Sequence, residues 1–93
     1  MENNFDHYTE LAETLKVLAH PVRLCIIRGL QDKSSCNVGY MQECLDLPQS
    51  TVSQHLQKLK SAGIIESRRQ GTEVYYSLKN NKVKEWIPYF FNS

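Results

Sequence analysis

The chain has 93 residues, 41% of them hydrophobic and 23% charged, which is the composition of an ordinary globular protein. At this length we expect one domain, residues 1–93, because two independent cores need more residues. A chain this short buries only about 60–65% of the surface that its unfolded form exposes, so a partner subunit would add useful stability. No apolar run approaches the roughly 18–20 residues that cross a bilayer, so a membrane is not an expected partner.

The distribution of charges and cysteines adds two constraints. Residues 1–47 carry four Lys/Arg and seven Asp/Glu, whereas residues 48–93 carry seven and three, so only the second half is basic enough to hold a polyanion. The three cysteines are odd in number and form no CxxC pair, which indicates a reducing compartment. Because the start, Met1–Asp6, is acidic and polar, we expect no targeting peptide and predict a cytoplasmic protein.

Two helices are predicted at the start of the chain. Apolar residues recur at spacings of three and four over Phe5–Leu18, which predicts an amphipathic helix. Pro21 has the fixed φ that suits a first helical turn, and the residues from there to Leu30 predict a second helix. This helix is nearly apolar all round, so we expect it to be central and buried, with a polar break at Asp32–Ser35.

Two shorter helices joined by a turn are predicted next. Apolar residues along one edge of Asn37–Leu45 predict a third helix, and Asp46–Pro48 predicts a turn because the residue before proline is biased away from helix. A fourth helix is predicted over Gln49–Ala62, and Gly63 is the residue that ends it. Together these elements form a helix-turn-helix over residues 37–62.

A hairpin and a last helix complete the prediction. Two β-rich runs within residues 64–78 flank Gln70-Gly71, where glycine supplies the positive φ of a hairpin turn, so this segment is the predicted wing. Lys79–Phe91 predicts a helix that Pro88 should kink or interrupt. The predicted fold is mainly α with a small β-hairpin, a winged helix-turn-helix in the order helix, helix, helix-turn-helix, hairpin, helix.

The fourth predicted helix has a polar outer face without negative charge. Val52, Leu56 and Leu59 cluster on one side, and no acidic residue lies between Pro48 and Ile65. Ser, Thr, Gln and Lys side chains can read base edges in the major groove or bind phosphates, whereas a carboxylate would repel phosphates. The candidates for base contacts are Gln49, Ser50, Thr51, Ser53 and Gln54, and those for phosphate contacts are Lys58 and Lys60.

His55 and the hairpin tip leave alternatives open. His55 lies at the boundary of the polar face, where it either packs against the core or contacts the DNA backbone. Adjacent arginines on a strand point to opposite faces, so at least one of the pair near the turn should reach a neighbouring groove or phosphate. An ordinary charged turn is the alternative. The tip comprises Arg68, Arg69, Gln70 and Gly71.

These motifs resemble the ArsR/SmtB family. The resemblance rests on residues 49–65, on Arg68–Gly71 and Tyr75–Leu78, and on Leu15–Leu24 upstream, and it spans nearly the whole domain. It implies a homodimeric winged-helix repressor that binds double-stranded operator DNA and leaves the operator when an inducer arrives. The two-fold axis of such a dimer implies a palindromic operator.

The same resemblance implies where the dimer forms. In that family the first and last helices make the dimer interface, which here corresponds to residues 5–18 and 79–91. The surplus of aromatic residues in these segments is more than a small monomer can hide. The interface candidates are Phe5, Tyr8, Leu11, Leu15, Trp86 and Phe90.

The sensor departs from the family pattern. Asn37-Val38-Gly39 stands where metal-responsive members often carry Cys-x-Cys, and Lys79–Ser93 has neither the His nor the Asp of the other familiar metal site. We therefore expect no metal at these positions and no cofactor. The inducer is unknown, and the sequence favours a thiol-reactive species over a metal. Cys36 and Cys44 are the candidate sensor thiols.

The sequence also predicts the surroundings of each cysteine. Cys36 is near a helix N-terminus, which favours its thiolate. If one helix spans Cys36 and Cys44, they lie about 12 Å apart along its axis, so a disulfide between them needs that helix to unwind. Cys25, inside the most apolar helix, is expected to be an inert core residue. His7 and His20 are expected to be structural or surface residues, and a mixed cysteine–histidine site stays open.

Two other classes of function are alternatives to a repressor. A winged helix can serve as a protein-interaction module, with the hairpin or the last helix as the contact, and the salt dependence of DNA binding separates the two. An enzyme is not expected, because the chain has no paired carboxylates at catalytic spacing, no P-loop, no Gly-rich dinucleotide turn and no nucleophile elbow.

Overall fold

The computed structural model describes residues 5–91, so residues 1–4 of the acidic start and residues 92–93 lie outside the described part. Five helices and a three-stranded antiparallel sheet of order β1-β3-β2 confirm the winged helix-turn-helix fold. No helix within residues 5–91 is long and apolar enough to cross a bilayer. The elements are α1 (Phe5–Leu18), α2 (Pro21–Lys33), β1 (Cys36–Asn37), α3 (Val38–Leu45), α4 (Gln49–Ser61), β2 (Ile65–Gln70), β3 (Glu73–Leu78) and α5 (Asn81–Phe91).

The recognition-helix candidate α4 ends in a defined capping motif. Gly63 has φ +74°, a conformation that glycine adopts without steric cost. The backbone N–H of Gly63 donates to the carbonyl of Lys60 and that of Ile64 donates to the carbonyl of Leu59, both at 3.0 Å. This pair of bonds is a Schellman motif, and the buried Ile64 and Leu59 supply its hydrophobic contact. The end of α4 is therefore fixed relative to the start of the wing.

The predicted end of α2 needs correction, and one of the two alternatives for Pro88 is excluded. The polar stretch at Asp32–Ser35 does not stop α2 at Leu30, because the helix continues to Lys33 with its last polar residues exposed. Pro88 does not interrupt α5, which runs through it to Phe91. Proline has no backbone N–H, so Pro88 leaves the carbonyl of Lys84 without its helical donor. Both residues are exposed, so water can hydrogen-bond this carbonyl.

The helix α2 is less buried than its composition suggested. Ile26, Ile27 and Leu30 are buried in the core. Cys25 and Arg28, however, are exposed, because positions three and four apart share one face of a helix. The prediction that α2 is buried all round, and that Cys25 is an inert core residue, is therefore wrong. Arg28, placed three residues after Cys25, was the signal in the sequence.

Strand β1 was not predicted, and it joins the wing to the helix-turn-helix. It pairs with β3 through Cys36 opposite Tyr76 and Asn37 opposite Tyr75. The side-chain oxygen of Asn37 accepts from the backbone N–H of Tyr40 at 2.8 Å and caps α3, while its amide donates to Glu73 Oε1 at 3.3 Å. A strand of two residues is too short to show an alternating pattern in sequence.

A cluster of three side chains fixes α4 against the start of α2. Arg23 Nε donates to the carbonyl of Val17, and Arg23 Nη1 donates to His55 Nδ1 at 3.2 Å. The His55 ring lies 4.5 Å from the ring of His20, whose Nδ1 caps α2 by accepting from the N–H of Val22. Because arginine has no acceptor, His55 Nδ1 must be unprotonated. The cluster therefore ties α1, α2 and α4 together around an uncharged His55.

Replacing Asn37 tests whether its cap or its contact with Glu73 stabilises the domain. We expect Asn37→Ala to lower the free energy of unfolding by about 1 kcal/mol in a denaturant titration, the usual effect of a lost N-cap. Asn37→Ser is the matched control, because serine caps as well but has no amide to reach Glu73. If both variants lose the same stability, the contact with Glu73 and not the cap is the stabilising interaction.

The environment of His55 predicts a pH dependence of stability. Burial, followed by the charges or dipoles of His20, Arg23 and Lys58, lowers the pKa of His55 below its ordinary value of 6.5. The unfolded chain then binds a proton more readily than the folded chain, so stability is complete above pH 6.5 and declines as the pH falls toward the folded-state pKa. We expect the difference in Tm between wild type and His55→Gln, which keeps an acceptor for Arg23, to change over this range. Parallel Tm curves for the two proteins would contradict the assignment.

Candidate nucleic-acid interface

The helix α4 presents most of its candidate DNA-contacting residues to solvent. Val52, Leu56 and Leu59 are at most 1% exposed, so they fix which side of the helix faces inward. Thr51 and His55 are half-buried at the edges of the outer face. The exposed candidates are Gln49, Ser50, Ser53, Gln54, Lys58 and Lys60.

A groove between α1 and α4 adds charged neighbours that the sequence analysis missed. Gln54 and Lys58 line this groove together with Lys16 and Arg23. Glu13 also lines it, and its Oε1 lies 3.9 Å from Lys16 Nζ, a weak and highly exposed ion pair. The structure therefore brings two further cations, and one carboxylate, next to the polar face of α4. Pattern reading along α4 alone could not find them, because they come from other helices.

His55 takes the boundary position that the sequence left ambiguous. Its ring is half-buried, its Nδ1 is occupied by Arg23, and burial keeps its pKa low. Only Nε2 is available for a further hydrogen bond within this arrangement. The structure thus gives His55 a packing role against His20, and a contact to a DNA backbone would have to use the remaining ring nitrogen.

The wing is a tight hairpin with its arginines exposed near the tip. Strand β2 pairs with β3 with Arg69 opposite Val74 and Gln70 opposite Glu73, which leaves a two-residue loop, Gly71-Thr72, rather than the predicted Gln70-Gly71. Gly71 has φ +65°, as expected for a hairpin loop that begins with glycine. Arg68 and Arg69 are both exposed.

One carboxylate lies at the base of the hairpin loop but is already engaged. Glu73 accepts from the amide of Asn37 at 3.3 Å and from the hydroxyl of Tyr75 at 3.0 Å. These contacts hold the carboxylate along the wing toward β1. The two exposed arginines, Arg68 and Arg69, outnumber this carboxylate at the tip, which suits a phosphate.

The cysteines are arranged differently from the sequence prediction. Cys36 lies on β1 and is buried, and burial raises the pKa of its thiol although Lys33 opposes this effect, so the expected thiolate at Cys36 is wrong. Cys36 lies outside α3, so no single helix spans Cys36 and Cys44. Cys25 and Cys44 are exposed, and within residues 5–91 no cluster of three His, Cys, Asp or Glu side chains could hold a metal ion.

Five of the six large hydrophobic side chains that are exposed within residues 5–91 lie on α1 and α5. The two helices flank one groove, which Leu11 and Trp86 line from either side. Both of these residues are half-buried. The exposed aromatic and aliphatic side chains of the two helices are Phe5 (72%), Tyr8 (52%), Leu15 (45%), Tyr89 (85%) and Phe90 (46%).

Comparison of the sequence with known proteins finds transcriptional repressors. A family profile described as a helix-turn-helix domain matches residues 18–68. The transcriptional repressor PagR of Bacillus anthracis is 48% identical over 73 residues, which cover 78% of this chain and 73% of PagR. The HTH-type transcriptional repressor SmtB of Mycobacterium tuberculosis is 42% identical over 69 residues, which cover 74% of this chain and 50% of SmtB.

Solved structures give the same fold. The crystal structure of PagR matches with a TM-score of 0.85 and 41% identity, covering 94% of this chain and 99% of that chain. The solution structure of the homodimeric winged helix-turn-helix DNA-binding domain of Mb0332 from Mycobacterium bovis matches with a TM-score of 0.84 and 28% identity. The match covers 97% of this chain and 82% of that chain. The chain therefore belongs to the ArsR/SmtB family of winged helix-turn-helix transcriptional repressors.

Proposed function

We propose that this protein is a homodimeric repressor that binds a palindromic operator through α4 and the wing and is released by a thiol-reactive inducer. The observation that carries the proposal is the outer face of α4, which is exposed, polar and free of carboxylates of its own. An exposed helix of this kind fits the major groove, which is wide enough for one helix. A repressor of this type acts in the cytoplasm, where its operator is.

The residues of the interface divide into two roles. The N-terminal part of a recognition helix normally reaches the bases, so this part of α4 reads the operator. The lysines further along α4 and the tip of the wing contact phosphates, which positions the helix without reading sequence. We assign base contacts to Gln49, Ser50, Thr51, Ser53 and Gln54, and backbone contacts to Lys58, Lys60, Arg68, Arg69, Gln70 and Gly71, with His55 at the edge.

The proposed dimer uses α1 and α5. The exposed Phe5, Tyr8 and Phe90 supply apolar surface that a second copy would cover, and the related domain of Mb0332 is homodimeric. In a two-fold dimer a rotation relates the two copies of α4, so they contact the duplex in opposite directions. The operator half-sites should therefore be palindromic and separated by one helical turn or a multiple of it.

The proposed inducer reacts with thiols. The positions of both familiar metal sites lack their usual ligands, since Asn37 and Gly39 replace the cysteines of the first one. The exposed Cys44 and the buried Cys36 line the same groove beside α3. A reaction at this pair would act next to α3, the first helix of the helix-turn-helix.

Alanine variants separate residues that read the operator from those that only bind DNA. With an operator selected from random duplexes by the wild-type protein, we expect Gln54→Ala to reduce the preference for operator over random DNA by about 1–3 kcal/mol. Arg69→Ala should weaken binding to both DNAs alike and lower the slope of log affinity against log salt by about 1. Fluorescence anisotropy at several salt concentrations measures both quantities.

Two matched variants control this experiment. Gln57→Ala changes the same residue type about one helical turn after Gln54. Gln57 donates to Ser61 Oγ at 3.1 Å, so its replacement should leave specificity unchanged. Lys84→Ala removes an exposed cation of α5 and should leave the salt slope unchanged. If the wild-type protein prefers no duplex over bulk DNA at low salt, the repressor proposal fails and a protein-interaction module explains the fold better.

The dimer proposal predicts a change in oligomeric state. Tyr8→Ser combined with Phe90→Ser removes exposed apolar area from α1 and α5, so we expect sedimentation velocity to show a shift from dimer toward monomer. Tyr40→Ser is the control, because Tyr40 is similarly exposed (43%) but lies on α3. A dimer that persists in the double variant, or dissociates in Tyr40→Ser, would place the interface elsewhere.

A further inference from the structure

A groove between α2 and α3 contains all three cysteines of the chain. Its volume is about 160 Å³. Ile26, Leu30 and Met41, which are buried, form its apolar floor. We call it the cysteine groove; its other lining residues include Cys25, Gly29, Lys33, Cys36, Tyr40 and Cys44.

Gly29 of α2 lines the groove and adds no side chain to it. A Cβ placed on Gly29 would meet no heavy atom within 4 Å, so the space beside this residue is open. Glycine in the interior of a helix costs roughly 0.5–1 kcal/mol relative to alanine, and its backbone here has no positive φ that would require it. Backbone conformation therefore does not explain the glycine at this position. A larger side chain at residue 29 would occupy the open space in the groove.

One end of the groove combines a nucleophile, a cation and an aromatic ring. Cys44 lies one helical turn after Tyr40 on α3, and Lys33 Nζ lies 5.5 Å from the centre of the Tyr40 ring. Cys25 is eight residues before Lys33 on α2, which is about 12 Å along the helix axis. Cys44 is exposed, whereas Cys36 is buried with its thiolate disfavoured. Cys44 is therefore the exposed thiol one helical turn from the Tyr40 ring that Lys33 contacts, and Asp32 also lines this groove.

We propose that the cysteine groove binds a small apolar electrophile of the quinone class and that the Cys44 thiol adds to it. An apolar cavity of about 150 Å³ is large enough to hold a benzene-sized ring. The apolar floor suits such a ring, and the Tyr40 ring can stack against it. The Lys33 ammonium can donate to a carbonyl oxygen. This proposal deepens the proposed function by naming the chemical class of the inducer.

The addition needs no further oxidant or reductant. The Cys44 sulfur donates an electron pair to a ring carbon, an S–C bond forms, and the electrons of the C=C bond move onto the carbonyl oxygen, where Lys33 stabilises the negative charge. The thiol proton goes to one oxygen, and the proton of the attacked carbon moves through water to the other. The product is a hydroquinone thioether, in which the ring has gained the two electrons that the sulfur supplied.

The position of the groove links the adduct to DNA binding. The helix α3 packs against α4 on one side and lines the groove on the other. Close-packed elements shift between discrete arrangements rather than deform continuously. A ring bound covalently to α3 and held against α2 favours the arrangement of the two helices that best encloses the ring, and α4 moves with α3. The expected consequence is loss of operator affinity.

The first test measures where a quinone reacts on the full-length protein. After brief exposure to 1,4-benzoquinone, mass spectrometry with peptide mapping should find one ring per chain, at Cys44, formed about tenfold faster than at Cys25. Iodoacetamide, which is polar and needs no apolar pocket, should label the two exposed cysteines at similar rates. Equal quinone addition to Cys25 and Cys44 would overturn the proposal.

Two substitutions at Gly29 test the groove itself. Gly29→Leu fills the space and should abolish the preference of benzoquinone for Cys44, whereas Gly29→Ala, which adds only a Cβ, should keep it. Unchanged iodoacetamide labelling of both variants verifies that the thiols stay exposed. If Gly29→Leu reacts with benzoquinone like the wild type, the groove does not bind the ring and the proposal fails.

The regulatory consequence has a separate readout. Benzoquinone should reduce the operator affinity of the wild-type protein at least tenfold and leave that of Cys44→Ser unchanged. An adduct at Cys44 with unchanged operator affinity would overturn the coupling to DNA binding. If the untreated protein binds no operator, the proposed function fails, while the mapping of the adduct still decides the groove.

Discussion

The burial of three side chains of α4 is the constraint on which the rest of the structure depends. Val52, Leu56 and Leu59 are all but fully buried, and each contributes roughly 1.5–3 kcal/mol through burial. The polar contacts of the outer face are exposed and contribute far less, as the bond between Gln57 and Ser61 illustrates. The apolar side therefore decides the rotation of the helix. Its polar side faces outward as a consequence, which makes the face available to DNA.

Three local contacts convert that buried helix into a rigid interface. Arg23 and His55 fix its middle against α2, the Schellman motif at Gly63 fixes its end, and Asn37 connects α3 to the wing. Each contact joins elements that are adjacent in space but not all adjacent in sequence. The spacing between α4 and the wing tip is thereby set before DNA arrives, which reduces the entropy lost on binding.

Periodicity predicted the elements well because each helix buries one stripe. The bounds of α1 and the start of α4 agree with the prediction, and Gly63 and Gly71 have the positive φ that their positions required. The predictions that failed concerned burial and contacts between elements. Cys25 was assigned to the core from the composition of its helix, although the position of Arg28 marked that side as exposed. The shared groove of the cysteines, and the contact between His20 and His55, depend on how helices pack, which no single-helix pattern contains.

The arrangement of α3 explains how one small domain could respond to a reactive ligand without a separate sensor domain. This helix has eight residues, too few to be stable alone, so its position depends on its packing against α4 and β1. A ligand can shift such an element only if it binds the two positions of the element with different affinity. Tyr40, Met41 and Cys44 of α3 line the cysteine groove, and the same short helix packs against α4. A group added in the groove is therefore in direct competition with the packing that positions α4, and no relay of intermediate residues is required.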